Sequence, residues 1–95
     1  MSQRNRNYAF TINNYTQQQF LDLEKLKCKY IIYGTEVAPE TGTPHLQGFI
    51  ILNNAKSFNA CKNVLPQGAH IEVCKGTPYS NFEYCSKTGN FTDRS

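Results

Sequence analysis

Large apolar residues alternate with small or polar ones through Tyr8-Ala9-Phe10-Thr11-Ile12-Asn13. A period of two marks a strand, here with Tyr8, Phe10 and Ile12 on one face. Asn13-Asn14-Tyr15 ends it as a turn. Thr16-Gln17-Gln18-Gln19 then has the form of a capping box, with Thr16 as N-cap and Gln19 at N3. The helix it opens sets Phe20, Leu23 and Leu26 at helical spacing, with charges between them.

Lys29 to Glu36 is β-branched and aromatic and predicts a second strand. Ala38 to Pro44, punctuated by Pro and Gly, is a loop, and His45 to Leu52 returns as a third strand, making a hairpin with a long tip. Ser57 caps a short helix through Val64, stopped by Leu65-Pro66-Gln67-Gly68. Ala69 to Lys75 alternates again as a fourth strand. Thr77-Pro78 is an N-cap followed by proline at the first helical position, so a last helix is expected from Tyr79 to Thr88, closed by Gly89. The order β-α-β-β-α-β with an added C-terminal helix predicts an α+β, ferredoxin-like or RRM-like antiparallel sheet. Its helices should cover one face and leave the other open.

Ninety-five residues are enough for one domain, with residues 1–7 read as a flexible basic arm. A hydrophobic fraction of 39% supports one modest core. No apolar run is long enough to span a bilayer, and the polar start Met1 to Asn7 lacks a signal-peptide stretch, so an intracellular protein with no membrane partner is expected. The net charge of +3 is compatible with a nucleic-acid partner without requiring one. Cys28, Cys61, Cys74 and Cys85 form no C-x-x-C pair, and their wide gaps suit free thiols better than zinc or disulfides.

Chemistry enters at the third strand. His45 and Gln47 are two apart and share a face, while Leu46, Ile50 and Leu52 take the other. Glu36 stands at the end of the partner strand beside the same loop, so antiparallel pairing can bring it across from them. A carboxylate, an imidazole and an amide oxygen make a three-ligand cation site that favours Mg²⁺ or Mn²⁺ over zinc. In the last predicted helix, Tyr84 and Lys87 are three apart, roughly 60° around the axis, and would be presented together. On residues alone, a lone strand histidine such as His45 is more often structural than a ligand, and Tyr84 is one of six tyrosines with packing as its ordinary role.

Three segments in order change the weighing: Phe10-Thr11-Ile12-Asn13-Asn14, Pro44-His45-Leu46-Gln47-Gly48-Phe49 and Tyr84-Cys85-Ser86-Lys87. Together they resemble the three motifs of the replication-initiator (Rep) endonuclease domain of circoviruses and nanoviruses, within the HUH class of rolling-circle nickases. The resemblance covers nearly the whole chain, Glu36 and Gly68-Ala69-His70-Ile71-Glu72 included. Most HUH enzymes carry a second histidine where this chain has Gln47, an exchange known in that viral branch.

The resemblance implies a metal-dependent nicking and joining of single-stranded DNA at a stem-loop replication origin. Glu36, His45 and Gln47 would hold Mg²⁺ or Mn²⁺. Tyr84 would be the nucleophile, leaving a covalent 5′-phosphotyrosine adduct and a free 3′-hydroxyl, with Lys87 steadying charge beside it. Thr11, Asn13 and Asn14 of the first motif would contact DNA, and Arg4, Arg6, Tyr15 and Lys75 suit the same task by their chemistry. The family further implies a host-nuclear viral protein with a helicase/ATPase domain downstream, so the chain is expected to be part of a longer one. Two rivals share the plan: a non-catalytic RRM-like single-stranded nucleic-acid-binding domain, and an interaction domain using Glu36 and His45 only for metal-assisted folding.

Overall fold

In the computed structural model the described residues are 4–37, 40–74 and 91–94, the last four by their backbone alone. The chain runs β1 (Arg4–Asn13), α1 (Gln17–Lys25), β2 (Tyr30–Val37), β3 (Pro44–Ser57), α2 (Phe58–Val64), β4 (His70–Val73) and β5 (Phe91–Arg94). The sheet has the order β4-β1-β3-β2-β5, and each neighbouring pair is antiparallel. This is the expected β-α-β-β-α-β plan with one strand more. The expected helix from Tyr79 to Thr88 lies outside the described residues.

Both helices start where their caps predict. Gln19 N–H donates to Thr16 Oγ1 at 3.1 Å while Thr16 N–H donates to Gln19 Oε1 at 2.8 Å, a complete capping box. Gln19 Nε2 also donates to Gln67 O at 2.9 Å, tying the start of α1 to the turn before β4. Ser57 Oγ accepts from Ala60 N–H at 3.2 Å and opens α2.

Alternation along β1 buries Tyr8, Phe10 and Ile12, which join Ile31 and Tyr33 of β2 and Leu46, Ile50 and Leu52 of β3 in one core. Leu23 from α1 and Cys61 from α2 close it, so both helices lie on this face. The ring of Phe20 meets that of Tyr33 edge-on, centroids 5.7 Å apart, fixing α1 over β2. Cys28, Cys61 and Cys74 are free thiols, as the spacing suggested. Cys85 lies outside the described residues.

Three expectations need correction. β1 begins at Arg4, so Arg4 to Asn7 belong to the sheet and not to a free arm. Their uniformly polar side chains offer no alternation to read; the pairing of Arg4 with Ser57 and Asn5 with Lys56 supplies the order instead. β3 continues to Ser57, well past Leu52, with an irregularity that sets Arg6 opposite Leu52 to Ala55. Finally, the face away from the helices is not wholly open: Ile32 and Phe49 are fully buried there, with Tyr30, Ile51 and Cys74 packed against them. The end of that face nearest the hairpin loop is polar, with Asn13, His45 and Glu36 in its last row.

Candidate metal centre

Residues opposite each other on antiparallel strands share a face, so the register assembles the site row by row. Asn13, His45 and Glu36 form the end row across β1, β3 and β2. The next row holds His70, Thr11, Gln47 and Gly34, with the backbone of Phe91 beyond. Glu36, His45 and Gln47, predicted to meet, do meet. His45 Nε2 is 3.5 Å from Glu36 Oε2 and 2.9 Å from Gln47 Nε2. His45 is 14% exposed and Glu36 29%, so both are reachable but partly dehydrated.

The donor set fits a small divalent cation. One carboxylate oxygen, one ring nitrogen and one side-chain amide converge on a single spot. The two ends of the Gln47 amide exchange by a half-turn, which presents Oε1 where Nε2 now stands. Among the described residues, no group of three or more His, Cys, Asp or Glu side chains could hold a metal. A cation here therefore depends on the amide of Gln47 as its third donor. Oxygen-rich ligation with one nitrogen suits Mg²⁺ or Mn²⁺.

The first-motif residues stand around this cluster. Thr11 lies between Gln47 and His70, and Asn13 lies beside His45. Asn14 adopts φ 52°, a left-handed conformation that asparagine tolerates better than most, and its N–H donates to Pro44 O at 2.8 Å. That bond pins the exit of β1 to the first residue of β3. Tyr15 is turned to packing: it is half-buried against the helix-side core, its ring 6.4 Å from that of Phe20. Arg4 is nine residues from Asn13 along β1, about 30 Å at strand rise. Arg6 fills the β3 irregularity, donating to Leu52 O and Asn53 O at 3.4 Å each. Tyr84, Lys87 and Lys75 lie outside the described residues.

Two residues escape the sequence reading. Gly48 turns its Cα to the helix side, where an added Cβ would overlap the Phe10 ring. A glycine inside a strand is the available signal for such a close approach. His70 shares the site row through Thr11; nothing short of the β4 register could place it there.

Residues 5–88 match the family profile of viral replication proteins. The chain is 45% identical over 89 residues to the replication-associated protein of human associated cyclovirus 1, an alignment spanning 90% of this chain and 32% of that relative. Against the replication-associated protein of beak and feather disease virus the identity is 41%, over 90% of this chain and 30% of the relative. For that of porcine circovirus 2 it is 38%, over 93% and 29%. The chain thus spans about a third of the length of the curated relatives it matches. With residues 5–88 inside the profile and these relatives of one kind, the chain belongs to the viral replication protein family, in its circovirus-type branch.

Proposed function

We propose that this domain nicks and rejoins single-stranded DNA at a viral replication origin, using Tyr84 as nucleophile beside a divalent cation held by Glu36, His45 and Gln47. The observation that carries the reading is the convergence of those three side chains at one end of the sheet, in a chain of this family.

Tyr84 attacks the scissile phosphorus through its phenolic oxygen. A P–O(Tyr) bond forms, the P–O3′ bond breaks, and its electron pair leaves with the 3′ oxygen. The phenol's proton passes to solvent and the departing 3′ oxygen takes one up, leaving a 5′-phosphotyrosine and a 3′-hydroxyl. A later 3′-hydroxyl reverses the step and reseals the strand, because the phosphodiester energy is kept. A phenol with an ordinary pKa near 10 is a weak nucleophile at neutral pH, and an ammonium such as that of Lys87, three residues further along the chain, would favour the ionised form if brought beside it. When bound, Mg²⁺ or Mn²⁺ supplies Lewis-acid polarisation of the phosphoryl oxygens. Glu36 would contribute the negative charge that holds it, with His45 and Gln47 as the nitrogen and amide-oxygen donors. Thr11 and Asn13, level with them on β1, are suited to bond the sugar-phosphate chain.

The partner is unpaired origin DNA, since a stacked duplex hinders access to the phosphate. The RRM-like alternative needs exposed aromatics on this sheet face for base stacking. Phe49 is fully buried there, which disfavours it. The test is cleavage of end-labelled unpaired oligonucleotides from candidate stem-loop origins with Mn²⁺. Wild type should cut at one position, and Tyr84→Phe, His45→Ala and added chelator should each abolish cutting. Cutting that persists with chelator removes the metal role.

A further inference from the structure

The backbone just past β1 does something few side chains accept. Asn14 takes φ 52°, and among the described residues it is the one residue other than glycine with a positive φ. Its side chain is exposed and, among the described residues, makes no hydrogen bond. Its N–H donates to Pro44 O at 2.8 Å. The place of that bond in the ladder gives it leverage. Hydrogen-bonded and non-bonded pairs alternate along antiparallel strands. With Asn14 bonded to Pro44, Asn13 and His45 are a non-bonded pair, and Ile12 and Leu46 are the next bonded one. His45 thus has no backbone bond of its own to β1 and is tied there by the residues on either side. Pro44 has no N–H to give, so the tie on the loop side is the single bond from Asn14. β3 starts at Pro44, and no earlier rung can replace that bond.

We infer that Asn14 is a positioning residue for the cation site, acting through its backbone and not through a side-chain contact with DNA. The left-handed turn aims its N–H at Pro44 O, and that bond holds His45 level with Glu36 and Gln47. The inference rests on the reading of those three residues as a cation site. Residue type at position 14 then matters for conformation alone. Glycine enters this region freely, asparagine tolerates it, alanine resists it and a β-branched residue resists it most. A side chain that resists the turn opens the bond to Pro44 for part of the time. The ion binds only the closed fraction, and apparent affinity falls in proportion to that fraction. Tyr15, the next residue, packs against Phe20, so the same turn also leads the chain into α1. A role confined to that connection would lower stability and leave ion affinity of the folded protein untouched.

The test sets Asn14→Gly, Asn14→Ala and Asn14→Val beside wild type, without DNA and well below the thermal midpoint of each. Mn²⁺ affinity is read by electron paramagnetic resonance, and hydrogen exchange of the position-14 amide by NMR in chelator. Asn14→Gly should stay within about twofold of wild-type affinity, although it removes the whole side chain. Asn14→Ala should lose about fivefold and Asn14→Val about tenfold or more, the strain of a left-handed L residue read as a fold-change. Amide exchange at position 14 should quicken in the same order with no metal present. Equal Mn²⁺ affinity across the series overturns the proposal and confines the turn to the β1–α1 connection. Asn14→Gly binding as weakly as Asn14→Val overturns it too, because the side chain itself is then needed. Wild-type Mn²⁺ binding that is absent, or that survives Glu36→Gln, sinks the cation-site reading. The exchange series tells these failures apart, since it reports the bond to Pro44 whether or not an ion binds.

Discussion

Position 48 shows how a motif residue can serve the site without touching a ligand. Gly48 stands one residue from Gln47, and the Phe10 ring occupies the space a side chain would need. Gly48→Ala should therefore destabilise the fold by about 1–3 kcal/mol through overpacking, read as a lower urea midpoint with an unchanged m-value. Cys61 makes a second residue-scale prediction. Burial in the helix-side core pushes its thiol up to about 11 from 9.0. The native protein should resist alkylation of Cys61 at pH 8, a reaction that needs the thiolate, and should react once unfolded. The folded pKa lies above the unfolded one, so this contribution to stability is full below about pH 9 and is lost as pH rises towards 11. Burial raises the Tyr8 phenol as well, adding loss in the same direction. Stability that climbs between pH 9 and 11 would contradict both.

Elements are legible where local chemistry alone specifies them. Thr16 and Ser57 caps, the hydrophobic spacing of α1 and the alternation of β1 all read directly, because each depends on neighbours within a few residues. Thr16→Ala should cost about 1 kcal/mol, measured by chemical denaturation, since it removes one half of a box whose two bonds are both present. Legibility fails where partners far along the chain decide. Arg4 to Asn7 carry no apolar alternation, and only pairing with the end of β3 makes them strand. β5, four residues pairing with β2, escapes a local reading for the same reason. The cation site is half legible. Period two puts His45 and Gln47 on one face, but the 3.5 Å approach of Glu36 needs the register of β2 against β3. Tyr15 goes the other way: an exposed-looking aromatic beside a motif proves to be a packing partner of Phe20.

At the scale of the molecule, one sheet organises different chemistry at its two ends. The polar end carries Glu36, His45, Gln47, Thr11 and Asn13; a buried apolar pair, Ile32 and Phe49, separates it from the other end, where β1 and β3 carry Arg4, Arg6 and Lys56. Apolar middle and polar ends explain why an open sheet face was too simple an expectation. If the polar end binds a cation, that binding must stabilise the whole fold by mass action. Free Mn²⁺ at about 100 times its Kd should add about 2.7 kcal/mol, seen as a raised thermal midpoint, and Glu36→Gln should lose most of that gain. An equal gain in Glu36→Gln would place the ion elsewhere. The central claim, however, concerns a covalent bond to one tyrosine among six. The most direct measurement is to trap the reaction of this chain with unpaired origin DNA and Mn²⁺, digest it, and map the nucleotide adduct by mass spectrometry. The account predicts a 5′-phosphonucleotide on the peptide bearing Tyr84, absent in Tyr84→Phe; an adduct on any other residue would contradict it.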